Sequence, residues 1–202
     1  MWLGPVGHMT QNQEQISPDF LIDSIVDRQQ AIDCTGLQGP DKAFLIAKIY
    51  RRLRIPMVVV TPSDAAAQRF CDDLRFFIGE NPPVVQYFPA YNLLPFKFLS
   101  SNTETAAARI RTLYYLMAGD LPAIVVTPVT GLMKKLIPRT ALDAYAELVM
   151  AGEEIDREQL VAKLHAGGYE HAAIVEEPGD YCVRGGLLDI YSPLYANPVR
   201  IE

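Results

Sequence analysis

The sequence predicts an α/β domain, a parallel sheet with helices on both faces, followed by a smaller α+β domain. Three observations carry that expectation. Val58-Val59-Val60-Thr61-Pro62 and Ile124-Val125-Val126-Thr127-Pro128 are one device used twice, a buried strand, then Thr-Pro, then a helix. Short apolar runs alternate with amphipathic stretches through the first 142 residues, as in sheets whose strands are covered on both sides. Charge then divides: residues 1–142 carry 14 Lys/Arg against 12 Asp/Glu, whereas residues 143–202 carry 4 against 12. Such a shift marks a domain boundary. We therefore read residues 1–19 as a leader, disordered or tag-derived and containing Gly7-His8-Met9, residues 20–143 as the first domain and residues 144–202 as the second.

Element by element, Ala31 to Thr35 reads as a strand feeding a glycine loop. The helix after it repeats apolar residues at Phe44, Ala47, Tyr50 and Leu53 and ends in Arg51, Arg52 and Arg54, which suit the negative end of its dipole. Met57 to Thr61 is a strand bounded by Pro56 and Pro62. The next helix starts at Asp64 behind the N-cap Ser63, turns Phe70, Leu74, Phe77 and Ile78 inward, and ends at Gly79. Val84 to Phe88 is the following strand. The loop from Phe88 to Phe98 interleaves aromatics with one lysine, a composition that stacks bases when exposed but that here favours packing. A helix over Thr103 to Met117 leads to the strand Ala123 to Thr127. In the second domain the pattern predicts strands at Leu148 to Met150 and Ala172 to Val175. A short helix spans Arg157 to Ala166, with Asp156 and Gln159 as a capping pair and Gly167-Gly168 as its stop. Two strand pieces then pivot at Gly185-Gly186, and a last one holds Val199 to Glu202.

The loop Gly36-Leu37-Gln38-Gly39-Pro40-Asp41-Lys42-Ala43 has the outline of a phosphate-binding loop without its chemistry. A working loop closes backbone N–H groups around phosphates, extends a lysine to them and holds magnesium through a hydroxyl. Only Gly36 and Lys42 fit. Gly39 is out of register, and Asp41 replaces the second glycine; at about 4 Å a carboxylate opposes a phosphate charge by roughly 4 kcal/mol at an effective dielectric of about 20. Pro40 has no N–H to donate, and Ala43 has no hydroxyl. The residues are also ordinary helix-start signals, with Pro and Asp in the first turn. Either way, the expected function is binding rather than catalysis.

Other chemistries find little support. Cys34, Cys71 and Cys182 are widely spaced, odd in number and lack a C-x-x-C partner, so neither a disulfide framework nor a zinc site is indicated, and a reducing cytoplasm fits best. No apolar run approaches a membrane span. His165 and His171 lie in no ligand spacing, and Glu153-Glu154 and Glu176-Glu177 read as solvated pairs. No catalytic arrangement, metal or cofactor is expected. A net charge of −6 argues against independent DNA binding.

Five further motifs carry a resemblance. They are Phe88-Pro89-x-Tyr91-x-x-Leu94-Pro95, Arg109-x-x-x-Leu113, Val125-x-x-Pro128-Val129-x-x-Leu132-Met133, Gly168-Tyr169 and, most specific, Gly179-x-Tyr181-x-x-Arg184-Gly185-x-Leu187-Leu188-Asp189-Ile190. Over roughly residues 20 to 202 they resemble the N-terminal, UvrB-like module of the bacterial transcription-repair coupling factors (Mfd). The last motif is shared with the excision-repair helicase UvrB, but UvrB keeps a functional phosphate loop, and the coupling factors resemble UvrB with that loop lost.

The resemblance implies a first domain like UvrB domain 1a, with Gly36, Gly39, Asp41, Lys42 and Ala43 as its vestigial loop, and a second like UvrB domain 2 that docks onto UvrA, the damage-recognition ATPase. It implies that Arg184 and Arg200 contact UvrA from adjacent strands, forming a small basic patch. A further aromatic contact, and the motor and the domains that bind RNA polymerase and DNA, are expected beyond Glu202, which would leave the second domain incomplete. Read from the residues alone, Arg184 equally suits a local ion pair with Asp180 or Asp189. The competing identity is a fragment of a UvrB-type ATP-dependent DNA-repair helicase, against which Asp41 and Ala43 count.

Overall fold

A computed structural model describes residues 18–26, 31–79, 84–91, 103–119 and 123–202. Six α-helices and seven strands are present among them: α1 (Pro18–Val26), α2 (Asp41–Leu53), β1 (Met57–Thr61), α3 (Asp64–Ile78), β2 (Val85–Tyr87), α4 (Thr103–Ala118), β3 (Ile124–Pro128), α5 (Arg139–Tyr145), α6 (Arg157–Ala166), β4 (Glu170–His171), β5 (Asp180–Arg184), β6 (Leu187–Ile190) and β7 (Val199–Ile201). Two separate sheets result. The first is parallel, in the order β1-β3-β2; the second runs β4-β5-β6-β7, with β4 parallel to β5 and antiparallel pairs thereafter.

The repeated Val-rich device explains the first sheet. Val58 to Thr61 pairs residue for residue with Val125 to Pro128, so the two copies lie side by side in register. The strand period of two then sends Met57 and Val59 with Ile124 and Val126 to one face, where α2 and α3 cover them through Ala43, Ala47, Tyr50, Ala67, Cys71 and Leu74. On the opposite face α4 covers β2, with the Thr112 hydroxyl donating to the Tyr87 carbonyl at 3.2 Å. The Val58 and Val60 side chains on that second face of β1 stay exposed, at 64% and 51%. Leu74, fully buried, is worth about 1.5–3 kcal/mol by removal from water.

Local signals place the helix ends. The Ser63 hydroxyl accepts the Ala66 N–H at 3.3 Å and opens α3, while Gly79 leaves it at φ 97°, a backbone conformation glycine adopts without strain. α2 begins behind Pro40, whose carbonyl takes the Phe44 N–H at 2.9 Å. Its buried stripe is wider than the sequence indicates. Ala43, Ala47 and Tyr50 meet α3, Leu45 and Ile49 meet Ile22 of α1, and Phe44 lies half exposed against the Phe77 ring.

The second sheet packs one face on α6. Tyr181, Leu188 and Ile190 form its core with Leu160, flanked by Val183, Leu164, Tyr169 and Ile201. Asp156 caps α6 by accepting the Glu158 and Gln159 N–H groups at 2.9 and 3.1 Å. Two bonds tie α4 to this part of the chain: Arg111 Nε donates to the Pro193 carbonyl at 2.7 Å, and the Thr103 hydroxyl lies 2.6 Å from Glu177 Oε2.

Three strand expectations need correction. Ala31 to Thr35 is exposed and forms no strand, because β1 pairs only with β3 among the described residues and nothing offers this segment a ladder. Leu148 to Met150 is likewise without a neighbouring strand, and Leu148 is 82% exposed. The strand expected at Ala172 to Val175 lies two residues earlier, at Glu170–His171. The ladder ends where the Ala172 N–H donates to the Tyr181 carbonyl at 2.9 Å, after which the chain bends. The helix expected after Thr127-Pro128 is a short 3-10 turn over Val129–Met133, while α1 and the short α5 have no counterpart among the expected elements.

Candidate partner-binding site

Alternation along β5, β6 and β7 decides which side chains leave the α6-packed face. Tyr181, Val183, Leu188, Ile190 and Ile201 point into the core, so Cys182, Arg184, Leu187, Asp189 and Arg200 share the opposite face. Gly185, at φ 61°, makes the turn that sets this register. Arg184 and Arg200 are therefore on one face, as a common docking role requires.

They are not on adjacent strands. β6 runs between β5 and β7, and Asp189 stands directly opposite Arg200 and opposite Cys182. Arg200 donates through Nε to Asp189 Oδ1 at 2.6 Å and through Nη2 to Oδ2 at 2.9 Å, a bidentate pair. That bond is the main cause holding the Asp189 carboxyl below the usual carboxylate range, with the charges of Arg200 and Arg184 adding to it. Arg184 does not pair with Asp180 or Asp189; it donates through Nη2 to the Ala173 carbonyl, in the bend after β4, and remains exposed. Asp180 instead receives the N–H groups of Glu176 and Glu177 at 3.1 and 2.9 Å. The basic patch thus consists of two tethered guanidinium groups, one of them already facing a carboxylate.

The glycine loop is brought together as a helix start. Gly36 and Gly39 take φ of 85° and 49°. The Asp41 carboxylate reaches back to accept the Gln38 N–H at 3.3 Å, and the Asp41 N–H bonds the Gln38 carbonyl at 3.0 Å. An internal carboxylate therefore engages a loop N–H of the kind a phosphate would need. Ala43 is fully buried in the first core, while Lys42 is exposed. Beside the loop lies a cleft of about 1310 Å³, lined among others by Cys34, Leu37, Lys42, Val59, Val60 and Arg69. Sequence reasoning missed this cleft, since it forms where Ala31 to Thr35 fails to join the sheet.

The aromatic loop packs as expected where it is described. Phe88 is 4% exposed, and the Arg109 guanidinium sits over the Phe88 and Tyr91 rings at 4.0 and 4.6 Å. Arg109 also donates to the Pro89 carbonyl at 2.7 Å, and burial pulls its pKa below the ordinary arginine value. From the other side, Asp64 takes the Tyr87 hydroxyl at 2.9 Å and the Ala90 N–H at 3.4 Å. These rings are committed to protein contacts. Residues 92–98 lie outside the described residues.

Among the described residues no group of three or more His, Cys, Asp or Glu is placed to hold a metal ion, and no helix is long and apolar enough to cross a membrane. Cys71 and Cys182 are buried and Cys34 is exposed. Burial raises the Cys71 thiol to about 11.

Residues 148–202 match the UvrB interaction domain family. The chain is 35% identical over 178 residues to a transcription-repair-coupling factor of Myxococcus xanthus, covering 86% of this chain and 15% of that protein. Those of Bacillus subtilis and Escherichia coli are each 30% identical, over 83% and 82% of this chain and 14% of their own length. The chain thus spans about one seventh of these relatives.

Proposed function

We propose that this chain, 30–35% identical to transcription-repair-coupling factors and matching the UvrB interaction domain family at 148–202, is an adaptor that recruits UvrA to nucleotide excision repair. In this reading it has no ATPase activity of its own. Residues 20–143 form a vestigial nucleotide-binding domain, and residues 144–202 form the UvrA-binding domain. Arg184 and Arg200 make the contact. RNA polymerase and DNA would be engaged by other parts of a longer protein, in the cytoplasm of a bacterium.

The observation that supports this best is the shared orientation of Arg184 and Arg200 on the sheet face turned away from α6, within the matched domain. Arginine's planar fork suits carboxylates, and its weak hydration makes it easier to desolvate than lysine at an interface. A partner that offers carboxylates to this face would find two donors in a domain with only four basic residues after position 142. Titration of purified UvrA with this chain tests the reading, with saturable binding expected.

The alternative, a helicase fragment with a working nucleotide site, is disfavoured by Asp41. Its carboxylate holds the Gln38 N–H and would lie close to an incoming phosphate.

A further inference from the structure

We propose that Asp189 is a positioning residue for Arg200 in partner binding. The inference rests on the proposed docking role of the β5–β7 face. Asp189 and Arg200 are register partners across β6 and β7, and the bond between them uses Nε and Nη2, the side edge of the guanidinium. That leaves both N–H groups on Nη1 and one on Nη2 for a second carboxylate, because arginine carries five donors. Exposure is divided in the same sense: the Asp189 side chain is 16% exposed and that of Arg200 52%. The acid is the more buried partner and the cation the more exposed.

A long side chain held in one geometry before binding loses less freedom when a partner arrives. Asp189 therefore orients Arg200 rather than competing for the partner. The same face treats Arg184 alike, fixing it through the Ala173 carbonyl. An acidic partner would meet two pre-oriented donors flanking a recessed carboxylate, which also disfavours a partner placing its own acid directly over Asp189.

The test is a double-mutant cycle on UvrA binding by calorimetry, with wild type, Asp189→Asn, Arg200→Ala and the double variant, together with NMR of the Arg200 Nε–H. The asparagine is nearly isosteric, and circular dichroism checks that each variant keeps its fold. Asp189→Asn is expected to weaken binding roughly 3- to 10-fold, the cost of immobilising one such side chain, and to add little once Arg200 is alanine. In the unbound protein the Nε–H signal should be sharp and shifted in wild type and become solvent-averaged in Asp189→Asn. Equal losses from Asp189→Asn with and without Arg200, or an unchanged Nε–H signal, overturn the proposal while leaving the functional reading intact. Absence of wild-type binding overturns the functional reading and this proposal with it.

Discussion

The Asp41 carboxylate accepts the Gln38 N–H at 3.3 Å, so the glycine loop closes on itself with an internal anion. Titration with Mg-ATP should give no affinity tighter than millimolar, and no hydrolysis should be detected. Introducing the hydroxyl that the loop lacks, by Ala43→Ser, should not create affinity. The side chain at 43 is fully buried against the first core, and an unpaired hydroxyl there costs about 1–3 kcal/mol, visible as a lowered urea midpoint. Micromolar Mg-ATP binding by the wild type would restore the helicase alternative.

Gly131 is confined by its neighbours. A Cβ there would lie 2.4 Å from Thr127 Oγ1 and 3.4 Å from the Phe88 carbonyl oxygen, whereas one at Gly186 would meet nothing within 4 Å. Gly131→Ala should cost about 1–3 kcal/mol in denaturant unfolding. Gly186→Ala should be close to neutral, and equal effects from the two would contradict the packing of the 3-10 turn against β3.

Asp156 supplies a pH-dependent cap. Its carboxyl is held below the ordinary range, first by the Gln159 N–H, with the Gln159 side chain and the Glu158 N–H adding to it. A lowered folded-state pKa gives stability that is fully present above the unfolded value, about 4, and is lost as pH falls through the folded value. Asp156→Ala should therefore be less stable than wild type at pH 7, and the difference should shrink as pH drops below about 4. A difference independent of pH, in melting curves taken across that range, would assign the cap a purely neutral role.

DNA binding should be weak. The chain carries a net charge of −6; Arg109 is buried, and Arg52 is paired with Asp19 and Asp23 at 3.5 and 2.8 Å. Fluorescence anisotropy at physiological salt should show dissociation constants no tighter than the roughly 10⁻⁴ to 10⁻⁶ M of nonspecific contact. Submicromolar, salt-sensitive binding would mean that the basic end of α2 forms a nucleic-acid site.

Where the sequence was legible, local chemistry and tertiary demand agreed. Ser63 and Gly79 bracket α3, Asp156 and Gln159 open α6, and the repeated Val-Thr-Pro device became two paired parallel strands. Where it misled, an extended segment lacked a partner: Ala31 to Thr35 and Leu148 to Met150 are apolar enough for strands, but hydrogen bonding to a neighbour is not written in the segment itself. The site was legible in composition and not in connectivity. Arg184 stood out as a rare cation in an acidic stretch, but the pairing of Asp189 with Arg200 depends on β7 returning beside β6 after Ser192 to Pro198, and no local signal sets that register.

If Arg184, on the face of the second sheet turned away from α6, engages UvrA as proposed, the UvrA affinity of wild type against Arg184→Glu shows it directly. Arg184 is exposed, and its one described bond is to the Ala173 carbonyl, so charge reversal should leave circular dichroism and melting temperature nearly unchanged. Losing one charged partner at an interface should weaken binding roughly tenfold or more for Arg184→Ala. Arg184→Glu should abolish it. A folded Arg184→Glu variant that binds UvrA as tightly as wild type would rule out Arg184 as a UvrA contact.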